Sequence, residues 1–373
     1  MGQKKTPLEE TTGMKIAIVA GGTGGHVVPA IAFAEWIYEH HPETEIRFYC
    51  GSRPLEREIF RSNGIPSKVL PIDGSPLSGN IFRRTMRSSG LFLSTFTCMR
   101  DFLTWKPDAC LLFGGYVSLP ALFAARFSGI RSFVHEQNAV AGKVTRLAAS
   151  WGVPVLCGWK TCRKIEGQNV HYTGIPVRNF RYLPPEDAWL KLNCKDKPPA
   201  GPIVLVLGGS LASATINVLA SRLAELEQFS GWTFLVASAR EETVRRGNVI
   251  IVSRMWDMGP LYSLADCAIS RGGASTLAEL ALYGIPSIIV PWKDASDDHQ
   301  TENARVFAGM GYGLTWEEDS ESLEKLAARL QKLPSLKRRK NSVTAARETE
   351  RTGAAIWDVV FPKGDVAVES TGL

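Results

Sequence analysis

Lys15-Ile16-Ala17-Ile18-Val19-Ala20-Gly21-Gly22-Thr23-Gly24-Gly25-His26 runs straight into Val27-Val28-Pro29-Ala30-Ile31-Ala32-Phe33-Ala34. An apolar run of strand length enters a turn with four glycines, and an apolar pattern of helical period begins on its far side. Glycine lets the turn adopt positive φ and lets a ligand approach the main chain with no Cβ in between. The following helix aims its unpaired N–H groups and positive dipole end at the same spot. The pattern points to an anionic ligand such as a sugar diphosphate.

A glycine-rich turn between strand and helix also opens the dinucleotide-binding fingerprint, but the fit fails. Gly-x-Gly-x-x-Gly counted from Gly22 needs glycine at position 27, where Val27 stands. The next strand candidate, Glu45 to Cys50, ends in Cys50-Gly51-Ser52 with no carboxylate for a ribose. His26 adds a polar group at the mouth of the loop that a dinucleotide turn does not need.

The chain has 373 residues, 45% of them hydrophobic, which suits two domains with two cores. A net charge of +6 is mildly basic. That excess can serve phosphates or an anionic lipid surface, and with no basic helix or aromatic-interleaved sheet motif it points to no nucleic acid. The seven cysteines, Cys50, Cys98, Cys110, Cys157, Cys162, Cys194 and Cys267, form no Cys-x-x-Cys pair. They read as free thiols in a reducing compartment, not as a disulfide framework or zinc site. Residues 1–13 are polar and read as a disordered extension, not a signal peptide. No apolar run is long enough to cross a bilayer, so the chain reads as soluble or peripheral.

Short apolar strands alternate with helical patterns, which implies an α/β fold with parallel sheets. The first cycle has strand candidates at Lys15 to Ala20, Glu45 to Tyr49, Lys68 to Leu70, Ala109 to Phe113, Ser132 to His135, Val153 to Cys157 and Val170 to Tyr172. A proline- and lysine-rich stretch, Leu183 to Pro202, reads as a domain boundary. The second cycle opens with Ile203-Val204-Leu205-Val206-Leu207-Gly208-Gly209-Ser210, another strand entering glycines before a helix from Ala214. Thr233 to Ala237, Val249 to Val252, Cys267 to Ser270 and Ser287 to Val290 complete it. The expected domains are Rossmann-like lobes over 14–182 and 183–344, with parallel sheets facing each other across a cleft. A last helix at about 345–360 is placed to return to the first lobe, and 362–373 reads as a loose tail.

Several segments carry candidate chemistry. In Ser270-Arg271-Gly272-Gly273-Ala274-Ser275-Thr276-Leu277-Ala278-Glu279, Glu279 falls in an otherwise apolar helix. That favours a carboxylate accepting hydrogen bonds from vicinal ribose hydroxyls over a capping residue. Asp294, Asp297 and Asp298 precede a helix, where aspartates normally serve as N-caps, so no metal site is assigned. Gln300 and Asn303 read either as sugar contacts or as polar residues on an exposed face. Phe113-Gly114-Gly115-Tyr116-Val117-Ser118 is a further strand–glycine–helix turn. His135-Glu136-Gln137-Asn138 ends a strand in four polar side chains, and a ligand-facing rim is favoured over a mutually bonded network. Arg178 reads as a hinge salt bridge or a phosphate contact. Between Pro76 and Phe96, the cations Arg83, Arg84 and Arg87 stand among Ile81, Phe82, Met86 and Phe92. Cations beside exposed apolar groups bind anionic bilayers, and a core helix with a solvated basic face is the alternative.

Gly-Gly-Thr-Gly-Gly-His at 21–26, Gly-Gly-Tyr-Val-Ser at 114–118, His-Glu-Gln-Asn at 135–138, Gly-Ile-Pro-Val-Arg at 174–178, Gly-Gly-Ser at 208–210, Ala-Ser-Thr-Leu-Ala-Glu at 274–279 and His-Gln-x-x-Asn-Ala at 299–304 together resemble the MurG family. The order and spacing match over about residues 14–360. The resemblance implies a GT-B fold. It implies an inverting glycosyltransferase moving N-acetylglucosamine from UDP-N-acetylglucosamine to the 4-hydroxyl of lipid I, making lipid II for peptidoglycan. It further implies a peripheral protein on the cytoplasmic face of the inner membrane, cell-wall synthesis proteins as partners, and neither cofactor nor metal. Carried onto this chain, donor contacts fall on Thr23, Gly24, Gly25, Asn138, Arg178, Ser210, Met255 (backbone to uracil), Ala274, Ser275, Thr276, Leu277, Ala278, Glu279 and Gln300. His26 is the candidate general base.

The chain departs from the family pattern at Leu211-Ala212-Ser213, where Gln-Gly-Ala usually follows Gly-Gly-Ser, and at Thr301, where some members carry a second glutamine. Both read as variation in how the loop and sugar are held. Rival readings are another nucleotide-sugar enzyme of the same architecture, such as an epimerase or a glycolipid glycosyltransferase, and a non-catalytic membrane-docked module. Transfer to a lipid I analogue separates all three.

Overall fold

The computed structural model describes residues 13–75, 80–167, 169–209, 214–293, 295–336 and 342–362. Residues 1–12 of the amino-terminal extension and the tail beyond 362, both assigned from sequence, lie outside the described residues. So do Ser210, Leu211, Ala212, Ser213 and Asp294.

The chain folds into two α/β lobes, each built on a seven-stranded sheet. The first sheet contains β1 (Lys15–Val19), β2 (Glu45–Cys50), β3 (Ser67–Val69), β4 (Ala109–Leu112), β5 (Arg131–Glu136), β6 (Val155–Cys157) and β7 (Val170–Tyr172). Its order is β3-β2-β1-β4-β5-β6-β7, parallel throughout. The helices between are α1 (Gly24–His40), α2 (Pro54–Ser62), α3 (Ile81–Trp105), α4 (Ser118–Ser128) and α5 (Lys143–Ser150).

The second sheet contains β8 (Ile203–Leu207), β9 (Thr233–Ala237), β10 (Val244–Arg246), β11 (Val249–Val252), β12 (Cys267–Ser270), β13 (Ser287–Ile289) and β14 (Gly313–Thr315), in the order β10-β11-β9-β8-β12-β13-β14. Only β10 runs antiparallel to its neighbour. Its helices are α6 (Pro185–Lys191), α7 (Ala214–Ala224), α8 (Gly259–Leu264), α9 (Ala274–Leu282), α10 (His299–Gly309) and α11 (Leu323–Lys332). The central strands are near-continuous apolar runs because helices cover both sheet faces.

The stretch 183–202 is not a bare linker. Ala188 and Trp189 of α6, with Leu192, are buried in the core that β8 shares with α8 and α9. A final helix, α12 (Ser342–Val360), leaves the second lobe and packs on the first. Its Ile356, Trp357 and Val360 enter the core of α1, and Trp36 Nε1 donates to Glu350 at 2.8 Å. All seven cysteines are free thiols, five of them buried.

Both strand orders have a reversal point. In the first sheet it lies between β1 and β4, in the second between β8 and β12. In open α/β sheets, ligands bind outside the carboxyl ends of the strands at such points. The glycine turns at 21–25, 114–115, 208–209 and 272–273 follow these four strands.

Candidate active site between the lobes

Each glycine turn is held from behind. Glu56 on α2, 1% exposed, accepts hydrogen bonds from Gly22 N (2.8 Å), Gly51 N (2.7 Å) and the Tyr116 hydroxyl (2.6 Å). One carboxylate therefore ties the β1 turn to the β2 and β4 turns, with its charge met by three donors. Sequence reading missed Glu56, because a glutamate in the first turn of an amphipathic helix looks like a solvated residue.

Gly115 takes φ +78°, and a Cβ there would stand 2.1 Å from the Gly21 carbonyl oxygen. At Gly114 a Cβ would meet the His26 ring at 3.0 Å. The second glycine pair thus lets β4's turn nest under the first turn and against His26. That contact is invisible in the motif alone.

The first turns of α1 and α9 face each other across the lobes, with the Ser275 hydroxyl donating to the Gly25 carbonyl at 2.7 Å. Neither first turn contains a carboxylate, and neither Thr23 nor Gly273 makes a side-chain cap bond. Both positive helix ends are therefore left uncompensated by the chain, as an anion site needs. Thr23, Gly24, Gly25, His26, Ala274, Ser275, Thr276, Leu277, Ala278 and Glu279 are brought together on these two helices. Of these, Ala274 and Leu277 are buried in the second lobe's core, so their side chains serve packing.

Glu279 is buried and accepts from the Tyr262 hydroxyl. Burial pushes its carboxyl up to about 7, with the Tyr262 bond and the Arg178 charge pulling the other way. Met255 packs partly buried against the same core. Gln300 accepts from both Gly272 N and Trp292 N at 3.1 Å, which fixes its Oε1 in the loops before α9 and after β13.

Other residues take roles different from those expected. His135, Glu136 and Gln137 do not form a ligand-facing rim: all three are buried and bonded within the protein. Glu136 accepts from Asn138 N, Asn138 Nδ2, Gly142 N and the Thr145 hydroxyl. Gln137 links His26 Nδ1 (2.9 Å) to His135 Nδ1 (3.0 Å), and His135 Nε2 donates to the Gly174 carbonyl at 2.8 Å. Asn303 does not lie on an exposed helix face. It is fully buried, accepting from Ala139 N at 2.7 Å and donating to the Asn138 Oδ1 and the Gly272 carbonyl. Asn138 is thereby occupied in joining the lobes.

Arg178 pairs with Glu35 of α1 at 2.9 Å and also donates to the Trp256 carbonyl of the second lobe, contacts of the kind a hinge salt bridge makes. Asp297 is held by Lys164 (2.5 Å) and Arg146 (3.5 Å), again across the lobes, and Asp298 accepts from the Thr301 hydroxyl. The Lys164 hydrogen bond, with Arg146 beside it, lowers the Asp297 carboxyl below its ordinary range. Among the described residues, no group of three or more His, Cys, Asp or Glu side chains could hold a metal ion.

On the first lobe, α3 exposes Ile81 (84%), Met86, Phe92 (77%), Leu93 and Phe96, with Arg84 also exposed. Arg87 does not join this face. It donates to Asp73 at 3.0 Å and lies against Gly74, mostly buried. The side chains of Phe82 and Arg83 lie outside the described residues. No helix among the described residues is long and apolar enough to cross a membrane.

Comparison with known proteins agrees with this architecture. Residues 16–155 match the glycosyltransferase family 28 N-terminal domain, and 203–356 match the glycosyltransferase family 28 C-terminal domain. A UDP-N-acetylglucosamine–N-acetylmuramyl-(pentapeptide) pyrophosphoryl-undecaprenol N-acetylglucosamine transferase of Syntrophotalea carbinolica is 32% identical, over 92% of this chain and 96% of its own. The enzyme of the same name from Shewanella violacea is 32% identical, over 86% and 88%. Among solved structures, Acinetobacter baumannii MurG superposes with a TM-score of 0.65 at 24% identity, over 93% of this chain and 99% of that one. The Streptomyces glycosyltransferase SsfS6, complexed with thymidine diphosphate, gives 0.60 at 14% identity, over 91% and 96%, a likeness of fold alone.

Proposed function

We propose, because this chain belongs to the MurG family of glycosyltransferases within glycosyltransferase family 28, that it transfers N-acetylglucosamine from UDP-N-acetylglucosamine to the muramyl 4-hydroxyl of lipid I. The observation that carries the reading is the facing of α1 and α9. Two uncompensated helix ends meet at the reversal points of both sheets, with the buried Glu279 carboxylate beside them.

In this reading, Glu279 accepts the two ribose hydroxyls, and the backbone of Met255 addresses the uracil. The N–H groups at the start of α9, with the Gly208–Gly209 turn, bear the charge of the diphosphate. Gln300, its Oε1 pinned by Gly272 N and Trp292 N, keeps its amide N–H donors for the sugar. The acceptor's 4-oxygen attacks the anomeric carbon from the face opposite the diphosphate. The new C–O bond forms as the old one breaks, and its electron pair leaves with UDP. The hydroxyl proton passes to His26, since an imidazole is a competent base near neutral pH. Attack on the opposite face inverts the anomeric centre and gives a β-1,4 bond.

The exposed Ile81, Phe92 and Phe96 of α3, with Arg84, would seat the first lobe on an anionic bilayer and bring the site to a lipid-linked acceptor. In this reading the protein works as a peripheral enzyme on the cytoplasmic face of the membrane.

The test is transfer of labelled N-acetylglucosamine to a short-chain lipid I analogue. Wild type should form product, Glu279→Ala should chiefly raise the donor KM, and His26→Ala should chiefly lower kcat. Donor binding without product would favour a non-catalytic module, and epimerised donor or sugar transfer to another acceptor would favour a different nucleotide-sugar enzyme.

A further inference from the structure

The buried cluster at the end of β5 constrains which nitrogen of His26 carries a proton. The Gly174 carbonyl can only accept, so the His135 Nε2 facing it at 2.8 Å must bear hydrogen. His135 is fully buried, and desolvation lowers its ring to about 4, so it is neutral and its Nδ1 is bare. The Gln137 atom 3.0 Å from that nitrogen must therefore be the amide N–H₂, which also donates to the His135 carbonyl at 3.0 Å. Two acceptors fix the amide's orientation. Its oxygen is left facing His26 Nδ1 at 2.9 Å, and a carbonyl oxygen there requires a hydrogen on Nδ1.

We infer that His135 and Gln137 are positioning residues that hold His26 in the Nδ1–H tautomer, leaving its Nε2 lone pair to take the acceptor's proton. The inference rests on the reading of His26 as the base. Among the described residues, no protein group bonds to Nε2. The relay is anchored in the segment between the lobes. Gly174 sits at φ +88°, where a Cβ would meet Thr352 Oγ1 at 2.9 Å, and its carbonyl also receives the Thr173 hydroxyl at 3.2 Å. The ring also lies close against Gly114, where a Cβ would stand 3.0 Å from Nδ1. His26 thus cannot rotate to exchange its nitrogens without breaking a bond to a buried amide.

Nitrogen-15 NMR of the full-length, histidine-labelled protein without substrate reads the tautomer directly. The expected spectrum shows neutral His26 protonated at Nδ1 and bare at Nε2, and an Nε2–H ring or a rapidly exchanging mixture would overturn the inference. Gln137→Met, which keeps the volume and removes the acceptor, should give the mixture. It should lower kcat about tenfold while the donor KM stays within about twofold. A methionine variant with wild-type kcat and an unchanged ring spectrum would overturn the inference. If wild type shows the Nδ1–H ring while His26→Ala turns over normally, the positioning stands and the base assignment falls.

Discussion

Glu279→Gln should stabilise the ligand-free protein and at the same time weaken donor capture. Glu279 is 8% exposed, and burial raises its carboxyl to about 7 from an ordinary value of 4.5. Between those two pH values the unfolded chain ionises at this position while the folded chain keeps its proton. Stability contributed here is thus complete below about 4.5 and is lost as pH rises through about 7. At roughly 1.4 kcal/mol per pH unit, the loss reaches about 3 kcal/mol by pH 8. Glutamine has the same shape, its oxygen can accept from Tyr262, and it carries no charge to desolvate. Differential scanning calorimetry should therefore show the variant's second lobe melting several degrees higher at pH 8, at about 2–4 °C per kcal/mol, with the gap closing toward pH 4.5. Donor binding should move the opposite way. Hydrogen bonds to an ionised acceptor are worth about 1.5–3 kcal/mol against about 1 for a neutral one, so calorimetric Kd should rise roughly 10- to 100-fold. A stability difference independent of pH, or a variant less stable at pH 8, would refute the burial argument. Stabilisation with unchanged affinity would refute the ribose role.

Gly115→Ala places a Cβ 2.1 Å from the Gly21 carbonyl at a positive φ. It should cost about 2–4 kcal/mol in thermal unfolding and lower transfer activity by displacing the β1 turn. Asn303→Leu strands the Ala139 N–H and the Gly272 carbonyl in a buried position between the lobes. A loss of about 2–4 kcal/mol is expected by calorimetry, with a higher donor KM in the transfer assay. Phe92→Ser with Phe96→Ser removes exposed rings. Stability should stay within about 0.5 kcal/mol while sedimentation with anionic vesicles falls about tenfold.

Much of the fold was legible because the central strands are long apolar runs closed by glycine, as in Ile203–Leu207 before Gly208. The two strands the sequence did not reveal, β10 and β14, are three-residue edges exposed to solvent, and β10 contains Arg245 and Arg246. Nothing in their composition separates them from loop. For the site, glycine turns and Glu279 stood out because each breaks an apolar pattern. Asn303 and the His135–Gln137 pair were misjudged for one shared reason. A polar side chain in a single sequence shows its cost of burial but not the partner that offsets it, and here the partners are 164 residues away at Ala139 and 111 away at His26. Glu56 was missed on the same ground, since its donors lie on three separate turns.

The most direct test of the account is a structure of the full chain with UDP-N-acetylglucosamine bound. Both ribose hydroxyls are expected on the Glu279 carboxylate, the diphosphate at the start of α9, and the sugar's anomeric carbon turned toward His26. A nucleotide seated away from the first turns of α1 and α9, or a ribose with no contact to Glu279, would contradict it.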